Sequence, residues 1–315
     1  MQMPLKRMRA AFEANKKIYE SSLLTFKGVE GYDVFNCSVP FMYEGKYHLF
    51  GRVEVREKWM DSRVRLFVET GKDEYTLVPN QLAYQLEDPF VAKVQDRMLF
   101  GGTHHIKSAG EVTGDYCDFY SGMPHALTYY TTGPDLMEGI RFVQLINGTI
   151  GIFSCHKTES SCMIGFTTVD SLDEIKREVI ADAQPINQEP FLDAWGSVNQ
   201  AYLLSSGSVG CICHHGYLDK DSNGEPLSVS CITSFVYDPK TNNTHDFRLL
   251  GTKGCFPDCP PKAPRTADCA FASGIIMRDD GKCDLYSGLG DTHEGRITID
   301  DPFQGHGTIV NTLSF

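Results

Sequence analysis

The sequence predicts an all-β chain on three observations. Apolar residues alternate with period two over most of its length, Gly, Asp and Asn interrupt them at short intervals, and one hairpin pattern recurs five times. The hairpin appears as PFMYEGKYHLFGRVE at 40–54, PFVAKVQDRMLFGGT at 89–103, RFVQLINGTIGIFSC at 141–155, QAYLLSSGSVGCICHH at 200–215 and GIIMRDDGKCDLYSGLGDT at 274–292. Each copy has an apolar strand, a tight polar turn, and a second strand ending in small or polar residues. The turn residues Gly45, Asp96, Gly148, Gly207 and Gly281 lie 51, 52, 59 and 74 residues apart, the length of a propeller blade. RVRLFVETG, CMIGFTTVD, VSCITSFVYDP and EGRITIDDP supply third strands. A β-sandwich shares the short punctuated strands but does not account for five similar units. Residues 1–315 are therefore expected to form a single five-bladed β-propeller domain.

Two helices interrupt the pattern. Leu5, Met8, Phe12 and Tyr19 recur at helical spacing and predict a short N-terminal helix. Ser171 and Glu174 read as a capping box opening LDEIKREVIADA, an inter-blade helix with Leu172, Ile175 and Val179 on one face.

The totals exclude several classes. Asp and Glu number 41 against 29 Lys and Arg, a net charge of −12, which argues against a nucleic-acid partner. No apolar run approaches the ~20 residues that span a bilayer. MQMPLKRMRA is not followed by the apolar core of a signal peptide. The expectation is a cytoplasmic protein with no membrane partner. Its eleven cysteines, an odd number, are expected as reduced and mostly buried thiols. Cys211, Cys213, His214 and His215 raise structural zinc as an alternative. Two thiols on one strand face, with no second pair at ligand spacing, argue against it, and neither metal nor cofactor is expected.

In a propeller the innermost strands line a central channel, so polar residues at their ends converge. Asn36, Asp88, Arg141, Asn199 and Asp268 stand at or just before the first strands, and Arg52, His104, His156, His215 and Asp291 close the second strands. Any one could simply satisfy a strand end. Ten at equivalent positions predict a polar pocket, and carboxylates, amides, Arg and His with Trp59 or Trp195 nearby suit a sugar. Leu-Glu-Asp-Pro-Phe at 86–90 is the strongest local signal: Pro89 is expected to hold Asp88 in an extended entry to its strand. Asp238-Pro239 and Asp301-Pro302, after third strands, read as turns.

GRVEVREKWMDSRVRLFVE, LEDPFVAKV, FGGTHH, GPDLMEGIRFVQLINGTIGIF, AWGSVNQ, ADCAFASG and LYSGLGDTHEGRITIDDPF together resemble a family catalogued as a domain of unknown function. That family is related to the five-bladed β-mannoside phosphorylases and mannosidases of glycoside hydrolase family 130. More closely, the chain is similar to the mannosyltransferase/phosphorylases of trypanosomatid parasites, over roughly residues 25 to 305. The resemblance implies that Asp88 is the catalytic acid, protonating the leaving oxygen through a sugar hydroxyl. It further implies that Asn36, Ser38, Arg52, Asp268 and Asp291 hold the sugar, and that no cofactor is needed.

The implied activity is inverting transfer of mannose between mannose 1-phosphate or GDP-mannose and β-1,2-mannan acceptors, with reversible phosphorolysis. Phosphate is already an anion at pH 7, so this chemistry needs one acid and a cationic cradle. Two departures bear on that cradle. Glu138 stands near the place of a phosphate-binding lysine, and Ser154-Cys155-His156 replaces an Arg-Pro or His-Arg-Pro element. Arg141, Arg265, His104 and His215 are the cations that could compensate. A β-mannosidase would instead need a second carboxylate opposite Asp88, with Asp268, Asp291 or Glu54 available. A non-catalytic carbohydrate-binding propeller is the third reading.

Overall fold

All five recurrent segments fold as antiparallel hairpins in the computed structural model, which describes residues 4–56, 58, 61–108, 111–157, 162–187 and 194–315. Phe41–Tyr43 pairs with Lys46–Glu54, Glu87–Val94 with Arg97–Ser108, and Met137–Gln144 with Ile150–Lys157. Trp195–Leu203 pairs with Val209–Lys220, and Asp268–Met277 with Lys282–Leu289. The turns take the geometry that their residues allow. Glu44 and Gly45 both have positive φ, as do Gln95 and Asp96, the mark of the twisted two-residue turn that matches strand twist.

The four expected third strands form as Arg63–Gly71, Cys162–Val169, Pro226–Asp238 and His293–Asp300. The second unit has a third strand as well, Glu111–Met123, followed by Ala126–Thr132. A repeat hidden in the composition explains how these strands pack. Gly51, Gly101 and Gly151 lie in second strands, and a Cβ there would come within 3.0 Å of the rings of Phe67, Phe119 and Phe166 on the adjoining third strands.

Among the described residues the strands make four hydrogen-bonded sheets, one of eight strands, one of six and two of four. In the largest, a short parallel pairing of Val229 and Ser230 with Asp268 and Cys269 joins the fourth unit to the fifth. Glu20–Leu23, near the N-terminus, adds antiparallel to His293–Asp300, near the C-terminal end. Apolar clusters fill the spaces between successive units. Phe50 and Phe100 join the first and second units, Phe119 and Phe142 the second and third, and Phe153 and Tyr237 the third and fourth. Ile232 and Leu285 join the fourth and fifth, and Tyr286 of the fifth packs with Leu49 and Phe67 of the first. Sheets covered on both faces bury large side chains throughout, at roughly 25 cal/mol per Å² of apolar surface.

The helical readings need correction. Leu5–Asn15 is a helix whose Leu5, Met8 and Phe12 pack over Tyr217, Val229 and Leu249. Tyr19 lies beyond its end, where its hydroxyl donates to Asp300 at 2.7 Å. The inter-blade helix is only a 3-10 turn at Leu172–Glu174 and five residues at Arg177–Ala181, parted by extended Ile175 and Lys176. Glu174 accepts the Asp170 N–H and the Ser171 hydroxyl, each at 3.3 Å, so Ser171 caps no helix. Cys155 and Cys162 on adjoining strands form a disulfide, against the expectation of thiols throughout, while nine other cysteines are free. Among the described residues no helix is long and apolar enough to cross a membrane.

One irregularity positions the site. In the first strands of the second to fifth units the ladder slips: between Glu87 and Phe90, Glu138 and Arg141, Val198 and Gln200, and Ala272 and Gly274. Such bulges re-aim a side chain out of strict alternation. Asp88 and Asn199 occupy two of them.

Candidate active site

Arg52 is the hub of the polar centre. It closes the strand Lys46–Glu54, is 8% exposed, and lies with its guanidinium carbon 4.7 Å from the centre of the Phe35 ring. Its Nε donates to Ser62 Oγ at 2.9 Å and its Nη1 to Asp88 Oδ1 at 3.0 Å. Its Nη2 lies 3.0 Å from Glu54 Oε2 and 2.7 Å from Glu87 Oε2. Asn36 Nδ2 donates to the same Asp88 oxygen at 2.8 Å. Asp88 therefore has one oxygen held by two donors from the first unit, and its side chain stays 27% exposed.

Three polar residues here adopt left-handed backbone: Asn36 at φ 45°, Asp88 at φ 48° and Asp291 at φ 60°. Asn and Asp tolerate this conformation better than other side chains. It also corrects the reading of Pro89. Asp88 is a bulge residue rather than an extended one, and proline follows at no cost because a bulge leaves its nitrogen unpaired.

The remaining charges fall around this hub. Burial works against ionised Glu54, but Arg52, Lys262 and Ser62 more than offset it and hold its pKa below the usual range. Burial pushes Asp291 upward against the pull of Arg52, and the charge of Asp88 adds to the rise. His105 Nε2 lies 3.2 Å from Glu87 Oε2, and that bond raises the imidazole pKa despite burial. The structure thus sets His105 beside Glu87. His104 instead bonds the Gln85 carbonyl and stacks on Tyr116.

A second group faces Asp88 from the third and fourth units. Arg141 is 7% exposed, donates Nε to the Asn199 carbonyl at 2.7 Å and Nη1 to that of Ile140 at 2.9 Å, and covers the Phe90 ring. It makes no ion pair with a carboxylate among the described residues. Burial lowers its pKa, while the charge of Asp88 is near enough to support the guanidinium. Asn199 Oδ1 accepts a hydrogen bond from His214 Nδ1 at 2.8 Å, while its buried Nδ2 has no partner among the described residues. Burial drives His214 down to about 4, with the charges of Asp88 and Arg141 acting in opposite senses. His215 points the other way, bonding Thr233 Oγ1 at 2.6 Å, with burial lowering it to about 3. Cys211 and Cys213 share its face and pack in the core.

Several other expected residues have surroundings of their own. Ser38 is consumed within the backbone, accepting from Phe50 N–H at 3.0 Å and donating to the Val39 carbonyl. Asp268 is paired at 2.6 Å with Arg9 of the N-terminal helix, and Trp195 packs in the cluster beneath that helix. Arg265 is exposed on the turn Pro264–Thr266. Trp59 and the side chain of His156 lie outside the described residues. Glu138 stands close enough to His105 and Arg141 for its charge to act on both. Glu87, Ser62, His105, His214 and Lys262 were not expected. The adjacent Glu-Asp and His-His pairs announced the first, third and fourth of these. Lys262 had only its place between prolines as a signal.

Fold and site together define a mostly β protein with an acid-rich centre built from strand ends and faced by a buried arginine that makes no carboxylate ion pair among the described residues. The chain belongs to the family described as protein of unknown function (DUF1861), whose model matches residues 10–305. No curated protein matches it. Among solved structures it is similar to MPT-4, a mannose phosphorylase from Leishmania mexicana in complex with phosphate ion. The two are 55% identical over 99% of this chain and 97% of that one, with a TM-score of 0.96. It is 54% identical to MPT-1, a GDP-Man-dependent mannosyltransferase from Leishmania mexicana, over 99% and 100% of the chains, also at a TM-score of 0.96. A β-1,2-mannobiose phosphorylase from Listeria innocua is 13% identical over 86% and 91%, with a TM-score of 0.62, a likeness of fold alone.

Proposed function

We propose that the protein is a five-bladed β-propeller enzyme transferring mannose between mannose 1-phosphate or GDP-mannose and β-1,2-mannoside acceptors, reversibly with phosphate. The five hairpin units, the clusters between successive units, and the packing of the fifth against the first support the propeller. Likeness to a mannose phosphorylase and a mannosyltransferase at more than half identity supports the chemistry.

The observation that carries the reading is Arg141. A buried guanidinium without a carboxylate partner is costly unless an anion completes it. Arg141, the unpartnered Asn199 Nδ2 and His214 form the anion seat, and Asp88 is the acid facing it. In phosphorolysis a phosphate oxygen attacks the anomeric carbon as the glycosidic C–O bond breaks. The Asp88 proton goes to the leaving oxygen, and α-mannose 1-phosphate forms with inversion. Reversal transfers mannose to an acceptor. The same seat would take the diphosphate of GDP-mannose. Of the carboxylates a hydrolase would need, Glu54 is bound to Arg52 and Lys262 and Asp268 to Arg9, which leaves Asp291.

The test supplies mannose 1-phosphate or GDP-mannose with mannose, and separately mannan oligomers with and without phosphate. Transfer from a donor and phosphate-dependent release of mannose 1-phosphate are expected. Sugar release without phosphate would make it a hydrolase, and binding without turnover a carbohydrate-binding protein. Asp88→Asn should keep sugar affinity and lose turnover by about 10²-fold or more, whereas undiminished turnover would remove Asp88 from the acid role.

A further inference from the structure

Lys262 sits in the proline-rich stretch Pro260-Pro261-Lys262-Ala263-Pro264, which crosses from the fourth unit to the fifth. Nothing in its surroundings resembles a surface lysine. Its side chain is 1% exposed, and Nζ lies 2.7 Å from Oε1 of Glu54, whose side chain is wholly buried. The ammonium is 5.2 Å from the centre of the Phe35 ring, the same ring that Arg52 covers at 4.7 Å. Glu54 thus has one oxygen on Lys262 and the other shared between Arg52 Nη2 and the Ser62 hydroxyl, at 3.0 and 2.8 Å.

The backbone of the same stretch grips the fifth unit. Lys262 N–H donates to the Gly290 carbonyl at 2.8 Å, the Thr292 hydroxyl donates to the Pro260 carbonyl at 2.6 Å, and Asp291 lies between those two anchors. One residue thereby fastens the first unit through its ammonium and the last through its amide.

We propose that Lys262 is a positioning residue for the transfer reaction, fixing Asp88 through Glu54 and Arg52. The chain of contacts is short and rigid. Arg52 is held by three carboxylates and Ser62, and its planar fork can serve Asp88 only while Glu54 occupies one fixed place. Without Lys262, Glu54 would be a buried carboxylate that has lost one of the two cations holding it among the described residues, and the guanidinium would follow it away from Asp88. Reacting groups displaced by about 1 Å lose up to ~10²-fold in rate.

The inference rests on Asp88 acting as the acid, which Asp88→Asn tests separately. Lys262→Met alone would leave buried Glu54 short of one cation, so the informative variant is the double Lys262→Met, Glu54→Gln, which removes both charges. Phosphate release from mannose 1-phosphate with mannose as acceptor gives kcat and KM, and a thermal melt gives stability. A folded double variant with kcat down at least about tenfold, KM nearly unchanged and melting near the parent supports positioning. Parental kcat in the double variant, or a raised KM with kcat intact, overturns it. If the double variant does not fold, Glu54→Gln alone carries the test: the same loss of kcat supports the role, and an unchanged kcat refutes it. Loss of turnover in Asp88→Asn with none in these variants would sink the inference and leave the acid role standing.

Discussion

Replacing Glu294 by Gln should stabilise the protein above mildly acidic pH, by an amount that grows with pH. Glu294 is 1% exposed, accepts Cys37 N–H at 3.0 Å through Oε2, and pairs through Oε1 with the Ser273 hydroxyl at 2.6 Å. Burial raises its pKa from 4.5 to about 8, the two hydrogen bonds restraining the rise. Below pH ~4.5 folded and unfolded chains both hold the proton, and the acid has no pH-dependent effect. Above it the unfolded chain ionises while the folded one does not, so stability falls by about 1.4 kcal/mol per pH unit until pH ~8. The loss amounts to about 3 kcal/mol at pH 7. Gln can bond both neighbours and never ionises, so it removes that slope. Urea unfolding of the two proteins at several values between pH 5 and 9 measures the difference, in which all other titrations cancel. A gap that widens to pH ~8 and then levels is expected. A gap independent of pH would show that Glu294 ionises normally and that its burial has been misjudged. Because Cys37 follows Asn36, Gln should also preserve the Asn36–Asp88 bond and hence turnover.

Three shorter predictions follow from packing and charge. A Cβ on Gly288 would lie 1.9 Å from Asn36 Oδ1 and 2.7 Å from its backbone nitrogen, so Gly288→Ala must displace Asn36. A stability loss of about 1–3 kcal/mol and a fall in kcat of about 10²-fold are expected, and parental kcat would argue that Asn36 does not set Asp88. Arg296, 5% exposed, joins Asp73 at 2.6 Å, Asp284 at 3.0 Å and Glu20 at 3.4 Å, tying the N-terminal strand to the first and fifth units. Arg296→Ala should cost about 3–5 kcal/mol in urea unfolding, and a loss below 1 kcal/mol would mean that solvent screens the cluster. His215, buried and neutral down to about pH 3, cannot take the proton its unfolded form accepts below pH ~6.5. Stability should therefore fall on acidification, and His215→Gln should flatten the fall between pH 6.5 and 4; an unaltered slope would place the titration elsewhere.

What the sequence disclosed follows from strand periodicity. Five hairpins were visible because each turn has its own residue chemistry, and Asp88, Arg52, Asn36, Arg141 and Asn199 came with them as residues at strand ends. Periodicity of two fails where a bulge intervenes. The slip between Val198 and Gln200 changes which neighbours share a face, so the sequence pointed to His215 where the structure sets His214 by Asn199, and to His104 where it sets His105 by Glu87. Glu87 was hidden for the same reason, since the bulge at Asp88 lets two adjacent carboxylates reach one arginine. The Arg9 partner of Asp268, 259 positions away, was not legible because nothing local reveals it. Lys262 lies in a loop with no period at all.

The distribution of charge suggests why one scaffold suits related donors. Glu54, Glu87, Asp88 and Asp291 gather about Arg52 and Lys262, an acidic centre that repels a phosphate approaching from that side. Arg141 stands apart from those ion pairs, while burial raises the pKa of Asp291 within the acidic centre. In the proposed reaction the anion sits at Arg141, opposite Asp88, and inversion follows from that separation. In the proposed reaction the seat contacts only phosphate oxygens, which inorganic phosphate, a sugar phosphate and a nucleotide sugar all present. Selection among them then falls to groups beyond Arg141, Asn199 and His214, so substitutions in that trio should weaken every donor in similar proportion.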